Sequence, residues 1–248
     1  TLIVTTVGFA STIHASEPSH HALSKQAKAP TLSADPANPA NPFDDVGAIH
    51  NGAIEAMLQG YPHEPDGVVD LEVSWQLFDA FLLESGQYKI WPLMATDAHA
   101  HFQDEGPLVV PLVAAPPVST ASQNALEAIA ALGDPALDAF IAELFDRLDA
   151  SQLRFGDQAA LAQFIDQVKM LEAEALENPF ESEHGQTLAL VAASLARHSA
   201  ALWVNQDPTP VAAKEEATPE KIAAADISTT VISAAGNTLA SGSPQVGV

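Results

Sequence analysis

The chain contains no cysteine, which excludes disulfides, thiolate metal sites, a cysteine nucleophile and lipid attachment through an N-terminal cysteine. Basic residues are scarce: nine Lys plus Arg stand against 32 Asp plus Glu, for a formal charge of -23. Between Asp44 and Glu183 there are 25 acids and four bases, so the imbalance belongs to the body of the chain and not to a tail. Phosphate backbones are bound through Lys and Arg, so nucleic acid is not an expected partner, and an anionic membrane surface fits little better. A basic protein partner or loosely held cations suit such a field. Aromatic residues make up only 6%, whereas alanine recurs in nearly every candidate helix, which predicts a core packed from Ala, Leu, Ile and Val. Phosphate-cradling glycine loops, a dinucleotide fingerprint, a GxSxG elbow, HExxH and a calcium loop are all absent, and no short repeat indicates a solenoid.

Hydrophobic residues are nonetheless 47% of the 248, enough for one substantial core. The expected architecture is all-α, a single compact multi-helix domain with an extended proline-rich segment. Leu2 to Ile13 is apolar and small, too short to span a bilayer, and closes near Ala10 or Ala15, so residues 1–15 read as the end of a truncated signal peptide. That predicts export, to the periplasm or the medium. Residues 16–42 carry repeated Pro and little periodicity and read as a flexible lead-in. A helical body over 43–205, a linker over 206–218 and a small-residue C-terminal helix and tail over 219–248 follow. Glu220, Lys221 and Asp226 argue against a membrane span in that last segment.

Within the body, Val46, Ile49, Ala53 and Met57 predict a first helix from Asp44 or Asp45 that stops at Gly60, with the two acids available as caps. A second helix is expected from Val69 to Glu84 through Leu71, Trp75, Phe78 and Leu82. Pro107, Pro111, Pro116 and Pro117 break up the next apolar run and predict an extended stretch packed on the body. Helices are expected over 122–132, from Asp134-Pro135 to Leu148, from Asp157 past Leu171, over 183–203 and from Thr218-Pro219 to about Leu239. Residues 135–171 should form an antiparallel hairpin, with Asp166, Glu172 and Glu174 on its polar edge.

The candidate binding residues are Asp44, Asp45, His50, Asn51 and His198. His50 lies four after Val46, and His198 three after Leu195, each beside an apolar face, where a buried hydrogen bond would lock one helix to another. Ser194 and Ser199 neighbour His198, but a Ser-His pair needs an orienting third group and an oxyanion site, and no sequence context supplies them. Asp97, His99, His101 and Asp104 are the densest metal-like group: in an extended stretch His99 and His101 would point the same way, with carboxylates beside them. No cofactor is expected, zinc or calcium at this group being the alternative.

Asn41, Pro42, Phe43, Asp44, Gly47, His50 and Asn51, in NPFDDVGAIHN, resemble the opening of a group of poorly characterised bacterial exported, mostly helical proteins with an Asn-Pro-aromatic-Asp, Gly and His-Asn motif. ARHSAALW at 196–203 is similar to that group's later Ser-rich helix ending near Trp, and Asp226 to a position in its last helix. The resemblance implies export and a helical fold and brings no established activity. Members of the group often look lipid-anchored, an attachment that this chain lacks the cysteine for. The expected function is therefore an exported helical binding or structural protein with a protein partner, the alternative being a metal-assisted hydrolase using histidines and carboxylates.

Overall fold

A computed structural model describes residues 34–60, 68–70, 76, 80–81, 109–111, 115–178, 180–206 and 218–241. Local sequence signals set most of the helix ends. Helix α1 runs Asp44–Gly60, α2 Val118–Ile129 with a 3-10 turn at Ala130–Leu132, α3 Pro135–Ser151, α4 Gln158–Glu177, α5 Glu183–Asn205 and α6 Pro219–Ser241. Gly133 stops the 3-10 turn in the left-handed region, at φ 67°, where an L side chain would be strained. Asp134 then caps α3, accepting from the amides of Ala136 and Leu137 at 3.1 Å each, with Pro135 in the first turn. Asp157 caps α4 through Ala160 N–H and Ser182 caps α5 through Gly185 N–H.

The fold is all-α, as the periodicity implies, with one small addition. Val68–Asp70 (β1) pairs antiparallel with Val109–Pro111 (β2), Val69 opposite Val110. The second expected helix thus starts later than Val69, because Val69 and Asp70 belong to this ribbon; Gln76, Ala80 and Phe81 are helical. The extended conformation expected between the prolines is present at 109–111.

The α3–α4 hairpin buries Leu137, Phe140, Ile141, Leu144, Phe145 and Leu148 from one side and Leu161, Phe164, Ile165, Val168 and Leu171 from the other. Each such side chain contributes roughly 1.5–3 kcal/mol of transfer free energy. Helix α5 lies at the centre, packed by α1, α3, α4 and α6, and every residue from 188 to 204 is buried. Ala189, Ala192, Ala193, Ala196, Ala200 and Ala201 let its neighbours approach from all sides. By length and composition 184–205 could cross a membrane, yet its most apolar 18-residue window is 94% buried inside this protein, as expected of a core helix. Helix α6 packs on α2 and α5 through Ala223, Ala224, Ile227 and Val231, so residues 219–241 belong to the same body as the preceding helices. Helix α1 rests on α5 through a smaller cluster of Val46, Ile49 and Val191, and its Ile54 packs against Leu202, Trp203 and Ile222.

Candidate functional site

A helix buried on every face has no solvent side on which to place polar residues, yet α5 carries Ser194, Arg197, His198 and Ser199. Each must find a partner inside the protein or impose a desolvation cost of several kcal/mol for a charge. The partners come from elements more than a hundred residues away, or from the neighbouring helices.

Arg197 is completely buried, and its Nη2 donates to Asp44 Oδ1 at 2.6 Å and to Glu172 Oε1 at 2.8 Å. Glu172, also fully buried, accepts from Asn41 Nδ2 on Oε1 and from Asn38 Nδ2 on Oε2, both at 2.6 Å. Asn41 Nδ2 also donates to the Leu190 carbonyl at 2.9 Å, while its Oδ1 accepts from Phe43 N–H at 2.8 Å. Asp44 Oδ2 accepts from the Asn38 backbone N–H at 2.9 Å. Lys169 Nζ holds the Asp35 carbonyl at 3.0 Å, so residues 35–44 form a strap drawn across α4 and α5. The reading of residues up to 42 as a free lead-in is corrected over 38–42, where two amide side chains reach the buried carboxylate. Glu172 also leaves the polar edge assigned to it from its spacing.

The candidates from the sequence divide. Asp44 is not the simple cap expected of it: it is the first residue of α1, and its carboxylate turns back to Asn38 and across to Arg197. Asp45 is exposed in the first turn, where a negative charge favours the helix dipole. Asn51 Nδ2 donates to the His198 carbonyl at 2.6 Å, joining α1 to α5. His50 is half-buried with Nδ1 3.4 Å from Asn51 Oδ1. His198 does join the cluster, Nε2 lying 3.4 Å from Asp44 Oδ1. Asp97, His99, His101 and Asp104 lie outside the described residues. Among the described residues no group of three or more His, Asp or Glu could hold a metal ion.

Close helix contact completes the site. Ser194 Oγ donates to the Asp44 carbonyl at 2.8 Å and accepts from Gly47 N–H at 3.1 Å. A Cβ on residue 47 would sit 2.6 Å from the Ser194 carbonyl oxygen and 2.7 Å from His198 Cδ2, so only glycine permits this approach. One turn along, Asp226 Oδ2 accepts from Ser199 Oγ at 2.6 Å and from Trp203 Nε1 at 3.0 Å, tying α6 to α5. Ser194 and Ser199 therefore hold the backbone carbonyl of Asp44 and the side chain of Asp226, a packing role.

Comparison with protein-family models, with curated proteins and with solved structures returned no match. The reading of the site consequently rests on its own chemistry. Burial tends to raise the Asp44 pKa, but hydrogen bonds from Arg197 and Asn38 and the charges of Arg197 and His198 outweigh it and hold the carboxyl below its ordinary value. For His198, burial dominates and lowers the pKa against the pull of Asp44, with Arg197 adding to the lowering. At neutral pH these shifts keep the Asp44 carboxyl charged and the His198 imidazole neutral. Arg197 Nε and Nη1 make no hydrogen bond to any of the described residues. Such an arrangement fixes three elements in one register, with its charges facing each other.

Proposed function

We propose that this chain is an exported helical protein with a binding or structural role, and that its Asn-Pro-aromatic-Asp motif serves the fold rather than a reaction. The observation that carries this reading is the mutual satisfaction of the motif residues: Asn41, Asp44, Gly47 and Asn51 all engage α4 or α5. The partner that best suits the acidic body is a basic protein surface, met in the periplasm or medium. Opposite charge would speed encounter and make it sensitive to salt. The export part of the proposal is supported by the apolar opening stretch and by the resemblance of 41–51.

The test is chemical cross-linking in the native envelope and medium, followed by binding of the purified chain to the recovered protein at two salt concentrations. A reproducible basic partner whose association weakens with salt supports the reading; a chain that stays monomeric and binds nothing above background at low salt defeats it. The alternative, a metal-assisted hydrolase, draws on the His99-Ala-His101 spacing with Asp97 and Asp104. Titration of untagged protein with zinc and calcium separates the two, since one tight stoichiometric site lost in His99→Ala or His101→Ala would favour the hydrolase.

A further inference from the structure

The contacts that close the N-terminal region span very long stretches of chain. Asn41 reaches Glu172 across 131 residues, Gly47 reaches Ser194 across 147, and Asp44 reaches Arg197 across 153. Those inside the α3–α4 hairpin are local, as where Arg147 Nη1 donates to the Gln167 carbonyl 20 residues away. For a flexible chain the probability of closing a loop falls as roughly the three-halves power of its length. In a chain that has formed no helices, closing 147 residues is therefore about twentyfold less probable than closing 20.

Two further observations separate the same region from the rest. The apolar support of α1 is mainly the small cluster of Val46, Ile49 and Val191, apart from the large cluster shared by α2 to α6, which Phe43 of the strap touches only at its edge; Ile54 adds a contact to Leu202, Trp203 and Ile222. The polar partners of the strap (Glu172 and the Leu190 carbonyl) and of α1 (Ser194 and Arg197) reach their positions only when α4 and α5 lie side by side. Among the helices described end to end, α5 offers α1 its main docking surface, with Phe81 covering part of its other side.

We infer that the strap of residues 35–43 and α1 form a late-closing latch: α2 to α6 assemble first, and the N-terminal segment docks onto α4 and α5 as the last event. Chain order delays completion of the fold until α5 has been delivered. The link to transport rests on the proposal of export, because a chain that must thread through a pore benefits from an N-terminal segment without early partners.

Stopped-flow refolding and unfolding of the full chain tests the order. One set of variants weakens the latch (Asn41→Ser, Val46→Ala, Ile49→Val) and another the hairpin (Ile141→Val, Leu144→Ala, Ile165→Val). The slope of log folding rate against log equilibrium constant is taken over each set. The latch set should unfold about fivefold faster per variant with folding rates within about 1.5-fold of the parent, while the hairpin set slows folding about threefold or more. Equal slopes, or a steeper slope for the latch set, overturn the inference. The kinetics use purified protein and are independent of address; cell fractionation tests export, so the failure of one is distinguishable from the failure of the other.

Discussion

Replacing Glu172 with Gln removes a charge without changing shape, and the hydrogen-bond geometry sets the cost. Glu172 faces donors only: Arg197 Nη2 and Asn41 Nδ2 on Oε1, Asn38 Nδ2 on Oε2. Glutamine can keep its oxygen toward Arg197 and Asn41, but its NH2 then meets the NH2 of Asn38. The variant loses the charge in the bond to a fully buried Arg197, a bond class that contributes about 1.5–3 kcal/mol, and one further hydrogen bond of about 1 kcal/mol. The expected destabilisation is about 2–4 kcal/mol, read by urea unfolding as a lower midpoint at unchanged slope. Asn38→Asp supplies a second arm. Alone, it sets a carboxylate against Glu172 and should destabilise; combined with Glu172→Gln it restores a donor facing an acceptor. The double variant should therefore be more stable than Glu172→Gln by about 1 kcal/mol or more. A Glu172→Gln protein within about 0.5 kcal/mol of the parent, or an Asn38→Asp change equally harmful in both backgrounds, would refute the assigned network.

Gly47→Ala forces a methyl into the Ser194 carbonyl and His198, so α1 must back away from α5 at a cost of about 1–3 kcal/mol, measurable by thermal unfolding. Asp226→Leu leaves the Ser199 hydroxyl and the Trp203 indole N–H without this acceptor and should cost about 2–4 kcal/mol, with urea unfolding as the check. The folded-state pKa of His198 lies below 6.5, so the unfolded chain takes up this proton first and stability declines as pH falls below 6.5; His198→Gln should flatten that part of the profile. Asp44 is held below 3.8, so its contribution is complete above that value and is lost as pH falls through the lower folded pKa, a step that Asp44→Asn should remove.

The helices of the main body are legible in the sequence because their signals are local. Asp134-Pro135, Asp157 and Thr218-Pro219 mark starts, Gly133 and Gly60 mark stops, and the apolar stripes between them supply the period. The ribbon at Val68–Asp70 is not legible, since three residues carry no period and their partner lies some forty residues on. At the site, position beside an apolar face or within a motif points to Asp44, Asn51 and His198, whereas Glu172 reads as a surface acid and nothing local marks Arg197 or Asn38. Their roles arise from contacts across 134 and 153 residues, to which helical spacing is blind. One signal is present: between 188 and 204 the remaining residues are small or apolar on every side, so any polar residue there must be paired internally.

The total enclosure of α5 gives the chain an unusual intolerance to changes of length. An α-helix turns about 100° per residue, so one residue inserted between Leu190 and Arg197 would rotate the guanidinium, His198 and Ser199 together away from Asp44, Glu172 and Asp226. On a helix with one wet side such a rotation can be absorbed by trading exposed positions for covered ones. Here every direction is already occupied, so α5 behaves as a keyed shaft whose angular setting is held from several sides at once.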